Sequence, residues 1–347
     1  MDGFAPGHAC DAPSHAAAAS RLAIVPPVSR YLVTGCAGFV GSTLVDALLA
    51  EGCEVVGVDA FTDYYARDRK EAALATARSD PGFELIEHDL GSGPPPDTAL
   101  EGVEGVFHLA ARPGVRASWG DGFEPYLHDN VMATHKIAEC AARRGLRLVF
   151  ASSSSVYGDA LAYPTREDAQ PAPVSPYGVT KLTCEHLLRA HSRNFGLEYV
   201  ALRYFTVYGP RQRPDMAFAR IVEALMAGTA FEVFGDGRQS RDFTFVQDAV
   251  AATTLAMRKG VPGAVYNVGG GGEATLRESV EILEELSGRT LDVHYGREAA
   301  GDVRRTLADT GRIREEIGWE PAVELRAGLG SMLEATEAIV SAGRDND

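Results

Sequence analysis

Short apolar runs alternate along this chain with stretches in which apolar residues recur at helical spacing. Continuous apolar runs are typical of strands buried on both faces of a sheet, and they lie at residues 30–34, 54–59, 83–86, 106–110, 146–151 and 200–202. Helical spacing occurs between these runs, at residues 40–49, 131–143 and 177–194. Because strand and helix alternate, the pattern predicts a parallel sheet with helices on both faces.

The pattern loosens after Tyr208, where the elements become shorter. It predicts helices at 218–227, 276–287 and 311–317, a strand at 231–234, and a return to the main sheet near 243–258 and 266–268. The predicted fold class is α/β, a Rossmann-type doubly wound parallel sheet with a smaller C-terminal α/β substrate-binding domain. We expect a disordered N-terminal extension at 1–29, a domain built on the main sheet at 30–204 and completed by 243–270, and a second, smaller domain at 205–242 and 271–340.

Composition and charge disfavour several classes of partner. The 347-residue chain has a formal net charge of −15, which argues against binding of nucleic acid or of an anionic membrane surface. The longest apolar piece among the first 29 residues, Leu22 to Val25, stops at Pro26 and is too short for a signal peptide or a membrane span. The five cysteines are scattered without a Cys-x-x-Cys pair, so we expect reduced thiols and no metal site in a cytoplasmic protein.

A glycine-rich turn follows the first apolar run. Gly35 permits the tight turn, Gly38 lets the backbone approach a pyrophosphate, and Gly41 lets the following helix pack closely. The free N–H groups at the start of that helix would receive the phosphates. Asp59 ends the next run, where a carboxylate accepts hydrogen bonds from the adenosine ribose and repels a 2′-phosphate. The turn therefore predicts a dinucleotide site that prefers NAD to NADP.

Three residues further along the chain predict proton transfer at a carbon that bears a hydroxyl group. Tyr177 and Lys181 are four residues apart on a predicted helix and therefore share one face. A neighbouring ammonium favours the phenolate, since opposite charges in contact move a pKa by roughly 1–3 units. We therefore expect Tyr177 to act as a general base. Ser153 follows an apolar strand, where its hydroxyl can bond the reacting oxygen.

Taken in this order, the motifs resemble those of extended short-chain dehydrogenase/reductases of the nucleotide-sugar epimerase group, over residues 30–333. The stretches that carry the resemblance are the glycine turn, His88-Asp89-Leu90, His108-Leu109-Ala110-Ala111, Ser153 with Val156-Tyr157-Gly158, Tyr177 with Lys181, Arg203-Tyr204-Phe205, Gln239-Ser240-Arg241-Asp242-Phe243 and Tyr266-Asn267-Val268-Gly269. The resemblance implies a tightly bound NAD that is recycled in each turnover, and a UDP-sugar substrate. It also implies a homodimer formed through the helices at 131–143 and 177–194.

The same resemblance implies which residues contact each ligand. The cofactor contacts would be Gly35, Gly38, Phe39, Val40, Gly41, Asp59, Asp89, Leu90, Leu109, Ala110, Ala111, Tyr177, Lys181 and Tyr204. Asp89 would lie at the adenine and Lys181 at the nicotinamide ribose. The substrate contacts would be Arg116, Ser153, Ser154, Ser155, Thr206, Arg213, Met216, Phe234 and Arg241. Arg241 would bind the diphosphate, with Phe234 and Met216 beside the uridine.

Two segments and the four consecutive serines at 152–155 narrow the choice of sugar substrate. Residues 113–120 and 205–217 resemble segments of UDP-glucuronate 4-epimerases. Related 4,6-dehydratases and decarboxylases carry carboxylates where this chain has Ser154 and Ser155, whose hydroxyls cannot do acid–base work on carbon. Short hydroxyls can instead donate hydrogen bonds to a sugar carboxylate beside a positive charge. The residues available for this contact are Ser154, Ser155 and Thr206, with Arg116 or Arg213 as the cation.

The predicted function is NAD-dependent C4 epimerisation of UDP-glucuronate to UDP-galacturonate. It would proceed by transient oxidation at C4, rotation of the 4-keto intermediate and return of the hydride. The alternative is a 4-epimerase of a neutral UDP-hexose, either UDP-glucose/UDP-galactose or an N-acetylhexosamine, followed by a UDP-glucuronate decarboxylase. A non-catalytic NAD-binding sensor is disfavoured because Ser153, Tyr177 and Lys181 are all present.

Overall fold

The computed structural model describes residues 28–297 and 300–344, of which 340 and 342–344 are described by their backbone alone. The predicted disordered extension at 1–29 therefore lies outside the described residues, apart from its last two positions. The four cysteines in the described part, Cys36, Cys53, Cys140 and Cys184, are free thiols. None of the described helices has the length and apolar character needed to cross a membrane.

The described chain contains twelve strands and ten α-helices. The strands are β1 (Arg30–Thr34), β2 (Glu54–Asp59), β3 (Phe83–Glu87), β4 (Gly105–His108), β5 (Arg147–Ser153), β6 (Tyr199–Tyr204), β7 (Thr206–Tyr208), β8 (Phe231–Val233), β9 (Ser240–Phe245), β10 (Val265–Val268), β11 (Glu273–Thr275) and β12 (Val293–Tyr295). The α-helices are α1 (Phe39–Ala50), α2 (Arg67–Ala73), α3 (Phe123–Tyr126), α4 (Ala133–Arg144), α5 (Pro176–Phe195), α6 (Ala217–Ala227), α7 (Val246–Lys259), α8 (Leu276–Ser287), α9 (Gly311–Ile317) and α10 (Leu325–Arg344).

Seven strands form the main sheet, in the order β10-β6-β5-β4-β1-β2-β3. Every neighbouring pair is parallel. The strand order reverses between β1 and β4, and ligands of doubly wound sheets bind beyond the carboxyl ends of the strands at such a point. The Rossmann-type fold predicted from the alternating pattern is confirmed.

Two adjacent residues of β1 show how the sheet separates two hydrophobic cores. Val33 belongs to a core that includes Leu44 of α1, and Leu32 belongs to a core that includes Ile137 of α4 and Leu188 of α5. All five side chains are fully buried. Because burying a side chain of this size contributes about 1.5–3 kcal/mol, the two cores hold α1 on one face of the sheet and α4 and α5 on the other.

A third core lies in the later part of the chain. It joins Phe218 of α6, Leu283 of α8 and Leu329 of α10. Two small sheets accompany it, one in the order β11-β9-β7 and one formed by β12 and β8. The expected return to the main sheet near 243–258 is wrong for its first residues, because the strand at 243–245 pairs with β7 and not with the main sheet.

The helix predicted at 131–143 begins differently in the structure. A π-helical segment, Leu127–Met132, connects α3 to α4, which begins only at Ala133. Such segments widen a helix locally and are frequent near functional sites. Here the widened turn buries Asn130, whose side-chain oxygen accepts a hydrogen bond from the Arg112 backbone N–H at 2.7 Å. The segment thereby fixes the loop that follows β4.

Candidate active site

A cleft of about 390 Å³ lies at the carboxyl ends of the main-sheet strands. It is lined by every predicted cofactor residue and by most of the predicted substrate residues. From the cofactor set these are Gly35, Gly38, Phe39, Val40, Gly41, Asp59, Asp89, Leu90, Leu109, Ala110, Ala111, Tyr177, Lys181 and Tyr204. From the substrate set they are Ser153, Ser154, Ser155, Thr206, Arg213 and Met216.

The glycine turn between β1 and α1 forms a cradle that side chains would fill. Gly35 has a φ of +70°, and a Cβ at this position would lie 2.7 Å from the Ala110 backbone nitrogen. A Cβ on Gly41 would lie 2.0 Å from the Gly35 carbonyl oxygen, so the helix packs against the turn only because residue 41 is glycine. Gly38 occupies the N-cap of α1, and the N–H groups at this helix end favour an anion.

Asp59 at the end of β2 is held by the same turn. Its carboxylate oxygens accept hydrogen bonds from the backbone N–H groups of Ala37 at 3.0 Å and Phe61 at 2.8 Å. Burial raises the pKa of Asp59, while these two bonds and the charge of Lys70 oppose the rise. The cradle, the helix N-terminus and a fixed acidic group at the end of β2 fit the pyrophosphate and adenosine ribose of NAD.

Tyr177 lies in the first turn of α5, whose start is well defined. Ser175 caps the helix by accepting a hydrogen bond from the Gly178 N–H at 3.1 Å, and Pro176 occupies the first helical position. The backbone N–H of Tyr177 donates to the Ser118 hydroxyl at 3.1 Å. These contacts hold the phenol opposite Ser153 at the end of β5, in the same cleft.

The environment of Tyr177 differs from the one expected from the sequence. Burial raises the pKa of Tyr177, and a hydrogen bond with Ser153 and the charge of Arg213 only partly oppose it. In the protein's own environment, burial therefore outweighs the lowering of this pKa that was expected from Lys181. The Lys181 ammonium instead donates a hydrogen bond to the Ala151 carbonyl at 2.8 Å, so its charge is directed toward β5.

Lys181 itself is almost completely buried, at 3% exposure. Its ammonium lies 4.9 Å from the centre of the Phe150 ring. Burial lowers the pKa of Lys181 to about 8, since a low-polarity environment disfavours the cation. Lys181 is therefore protonated at neutral pH and loses its charge in mildly alkaline solution.

A buried polar network holds α5 against β5 and β6. Glu185, one turn after Lys181, accepts hydrogen bonds from the Arg203 guanidinium at 2.9 and 2.7 Å and from the Ser152 hydroxyl at 2.5 Å. Arg203 also donates to the Tyr157 hydroxyl at 2.9 Å. Because every member is buried and paired, the network fixes the register of α5 over the strand end that carries Ser153.

The sugar end of the cleft brings hydroxyl groups and one cation together. Ser154, Ser155, Thr206 and Arg213 line it with Tyr177. The Arg213 side chain is only 16% exposed, and its guanidinium is bonded along one edge to Asp215. Small hydroxyl donors and this guanidinium therefore line the cleft together with the candidate base.

Arg116 does not belong to this group. A second cleft of about 190 Å³ is lined by Phe234, Arg241 and Asp302 among other residues. Arg116 stacks over the Phe234 ring at 4.1 Å and donates to the Asp302 carboxylate at 2.7 Å, and Arg241 lies 3.6 Å from the same carboxylate. Arg116 thus accompanies two of the residues predicted for the nucleotide, Phe234 and Arg241. Of the two cations considered for the serines, Arg116 and Arg213, the main cleft is lined by Arg213.

Several residues that line the main cleft were not predicted from the sequence. Tyr64 and Lys70 follow the acidic end of β2, Arg112 follows β4, and its partner Asp129 lies in the π-helical segment. A signal was present, because loops after strands of a doubly wound sheet face the ligand site. Their side chains carried no motif, so only the folded chain brings them together.

The comparisons with known proteins agree with this geometry. The model of the family described as "NAD dependent epimerase/dehydratase family" matches residues 31–269. The uncharacterized UDP-glucose epimerase YtcB of Bacillus subtilis is 40% identical over 305 residues, covering 86% of this chain and 95% of that protein. The UDP-glucuronate 4-epimerase of Thermodesulfobacterium geofontis is 36% identical, covering 86% of this chain and 93% of that protein.

A solved structure extends the likeness to three dimensions. The UDP-glucuronic acid 4-epimerase of Bacillus cereus, crystallised with UDP-glucuronic acid and NAD, has a TM-score of 0.86 and 37% identity to this chain. The match covers 89% of this chain and 99% of that one. From the family match, the near-complete coverage of these relatives and the glycine cradle that fits the cofactor, the chain belongs to the NAD dependent epimerase/dehydratase family and its cofactor is NAD.

Proposed function

We propose that the protein is a UDP-sugar 4-epimerase that interconverts UDP-glucuronate and UDP-galacturonate. The observation that carries the proposal is the set of groups sharing one cleft with Tyr177. Ser153, Ser154, Ser155, Thr206 and Arg213 supply hydroxyl donors and a partly buried guanidinium there. Relatives named as UDP-glucuronate 4-epimerases support the same substrate.

The chain's own residues perform the proton transfers. Tyr177, as the phenolate that the positive charge of an oxidised nicotinamide would favour, accepts the proton of the C4 hydroxyl, and Ser153 donates a hydrogen bond to the reacting oxygen. NAD, when bound, supplies the hydride acceptor at C4 and later the hydride donor. Lys181, fixed against the Ala151 carbonyl, contributes positive charge beside the ribose that the resemblance assigns to it. The same groups act in reverse when the proton returns to the epimerised sugar.

The uronate needs a site that protects its carboxylate. A 4-keto uronate is a β-keto acid and loses carbon dioxide when the breaking bond aligns with the carbonyl π system. Hydrogen bonds from Ser154, Ser155 and Thr206, with the charge of Arg213, would hold the carboxylate out of that alignment. Carboxylates at residues 154 and 155 would repel it, and both positions are serine.

A neutral-sugar 4-epimerase is the second candidate. Arg213 already forms two hydrogen bonds with Asp215, at 3.0 and 2.9 Å, and this pairing reduces the charge available for a sugar carboxylate. The Bacillus subtilis relative is named a UDP-glucose epimerase. Hydroxyl donors can also bind a neutral hexose. The preference between a uronate and a neutral hexose therefore depends on how far Asp215 neutralises the charge of Arg213.

The decisive experiment incubates the purified protein with a UDP-sugar and follows the anomeric proton signals of the sugar by NMR. Incubation with UDP-glucuronate, with and without added NAD, should give UDP-galacturonate without release of carbon dioxide. The Tyr177→Phe variant serves as the inactive control. Turnover of UDP-glucose without turnover of UDP-glucuronate would support the second candidate, and a UDP-pentose product would show decarboxylation and refute the carboxylate contact.

The assembly and the division of the chain are part of the proposal. We expect a homodimer in the cytoplasm, formed through α4 and α5. Apolar side chains are exposed there, since Met132, directly before α4, is 43% exposed and Val179, in the first turn of α5, is 45% exposed. We also expect residues 205–242 and 271–340 to act as the nucleotide-sugar domain and the main sheet with 243–270 as the NAD domain. A monomer mass in light scattering would contradict the dimer.

A further inference from the structure

Tyr64 lies in the loop between β2 and α2 and lines the main cleft, although the proposed chemistry gives it no role. Two guanidinium groups lie near its ring, since the Cζ atoms of Arg213 and Arg112 are 5.7 and 5.6 Å from the ring centre. Its hydroxyl donates to the Asp215 carboxylate at 3.4 Å. Tyr64 thus contacts both members of the Arg213–Asp215 ion pair.

The orientation of Arg213 depends on these contacts. Nε and Nη2 of Arg213 donate to Asp215 at 3.0 and 2.9 Å. Across residues 28–297 and 300–344, its Nη1 has no acceptor in the protein. A planar guanidinium that is bonded along one edge and lies beside an aromatic ring has its remaining donors restricted in direction. The aromatic ring beside the Arg213 guanidinium is that of Tyr64. Arg213 itself lines the main cleft.

The position of Tyr64 is in turn fixed by the loop after β4. A Cβ on Gly114 would lie 2.7 Å from the Tyr64 hydroxyl oxygen, and Gly114 has a φ of +96°. The Tyr126 hydroxyl donates to the Pro113 and Gly114 carbonyls at 2.7 and 2.8 Å, which holds this loop in place. The space for the Tyr64 hydroxyl therefore exists because residue 114 is glycine and its loop is anchored.

We infer that Tyr64 is a positioning residue that gives the sugar site its selectivity for an acidic sugar by fixing the Arg213 guanidinium. The inference rests on the proposed function, because the selected group is the carboxylate of a UDP-uronate. Without the ring, the Arg213 side chain regains the rotamer freedom of a long cation, and its Nη1 no longer has one direction. Binding of an uncharged sugar does not need that charge and is unaffected.

The test compares Tyr64→Phe with Tyr64→Leu. The Phe variant keeps the ring beside both guanidinium groups and loses only a long hydrogen bond, whereas the Leu variant loses the aromatic surface. Tyr64→Met replaces Tyr64→Leu if the latter does not fold. Tyr266→Phe is a matched control, because Tyr266 also contacts an arginine and a carboxylate but lines neither cleft. The Arg312 Cζ lies 5.4 Å from the Tyr266 ring centre, and the Tyr266 hydroxyl donates to Glu316 at 2.6 Å.

Each NAD-loaded variant is assayed with UDP-glucuronate and UDP-glucose for kcat and KM, and its uronate products are resolved by NMR. We expect Tyr64→Leu to lower the selectivity for the uronate, measured as the ratio of kcat/KM values, by about five- to tenfold. The change should lie mainly in KM, and the fraction of decarboxylated product should rise. Tyr64→Phe and Tyr266→Phe should keep the wild-type selectivity.

The outcomes separate this inference from the function on which it rests. If the wild type epimerises UDP-glucuronate and Tyr64→Leu has the same selectivity and product ratio, the inference fails while the proposed function stands. If the wild type does not act on UDP-glucuronate, both fail. An equal loss of activity on both sugars would assign Tyr64 a purely structural role and would also overturn the inference.

Discussion

His108 gives the sharpest prediction about stability, because it is a fully buried imidazole with two hydroxyl neighbours. Its Nδ1 lies 2.7 Å from the Thr34 hydroxyl and its Nε2 lies 3.0 Å from the Thr134 hydroxyl. Burial and, secondarily, the charge of Lys181 lower the pKa of His108 to about 3. The folded protein therefore keeps this ring neutral at a pH where the unfolded chain protonates it.

The sign and size of the effect follow from this difference. Since the pKa of His108 is lower in the folded state, its contribution to the free energy of unfolding is complete above about pH 6.5 and is lost as the pH falls toward about 3. The full difference corresponds to about 5 kcal/mol, of which about 2 kcal/mol is lost by pH 5. Asp242 acts in the opposite direction. Burial raises the pKa of Asp242 to about 6, so its contribution is complete below about pH 4 and is lost as the pH rises through about 6.

The assay must therefore isolate His108. We would compare urea unfolding of the wild type and His108→Gln at pH 8 and pH 5 with saturating NAD, using fluorescence of the buried Trp319. The glutamine side chain of the variant cannot be protonated, so the stability advantage of the wild type should shrink by about 2 kcal/mol between pH 8 and pH 5. An advantage that stays constant, or grows, on acidification would refute the assignment of a depressed pKa to His108.

Three further predictions concern the site and its support. Tyr177→Phe should keep bound NAD, measured by absorbance of the purified protein, and lose turnover by about 10²–10⁴-fold, because only the proton-transfer group is removed; activity near wild type would exclude Tyr177 as the base. Gly41→Ala should weaken NAD binding at least about tenfold in a fluorescence titration, since its Cβ would lie 2.0 Å from a backbone carbonyl oxygen, whereas Gly330→Ala, with open space around its Cβ, should bind NAD normally. Glu185→Gln should lower the free energy of unfolding by about 3–5 kcal/mol in urea, because it leaves the buried Arg203 charge without its partner; a loss below about 1 kcal/mol would contradict this.

The parts of the site that sequence predicts well are those made by consecutive residues. The glycine turn needs only a strand, a tight turn and a helix start, and Gly35, Gly38 and Gly41 carry all three within seven residues. The acidic end of β2 and the paired Tyr177 and Lys181 are local in the same sense. Strand and helix positions were also predictable, because burial on both faces of a parallel sheet produces unbroken apolar runs.

The parts that were not predictable depend on how distant segments meet. The direction of the Lys181 ammonium is set by the angle at which α5 crosses β5, which no spacing in the sequence specifies. The sequence offered Arg116 as one of two cations for the serines at 153–155, but in the structure Arg116 lies beside Phe234 of the second cleft. Tyr64 reaches Asp215 across 151 residues of sequence, and a contact of that kind follows from the fold alone.

The polar network beneath α5 also has a consequence for how the chain is made. The Tyr157 hydroxyl donates to the side-chain oxygen of Asn267 at 2.7 Å, and Asn267 lies on β10, the edge strand beside β6. During synthesis from the N-terminus, Glu185 and Arg203 emerge long before this strand. A nascent chain that ends before β10 leaves β6 as an open edge and one partner of the buried network absent. Helix α5 therefore acquires its final support only after much of the later part of the chain has been synthesised, and a truncated product carries Ser153, Tyr177 and Lys181 without the strand that completes the network beneath them.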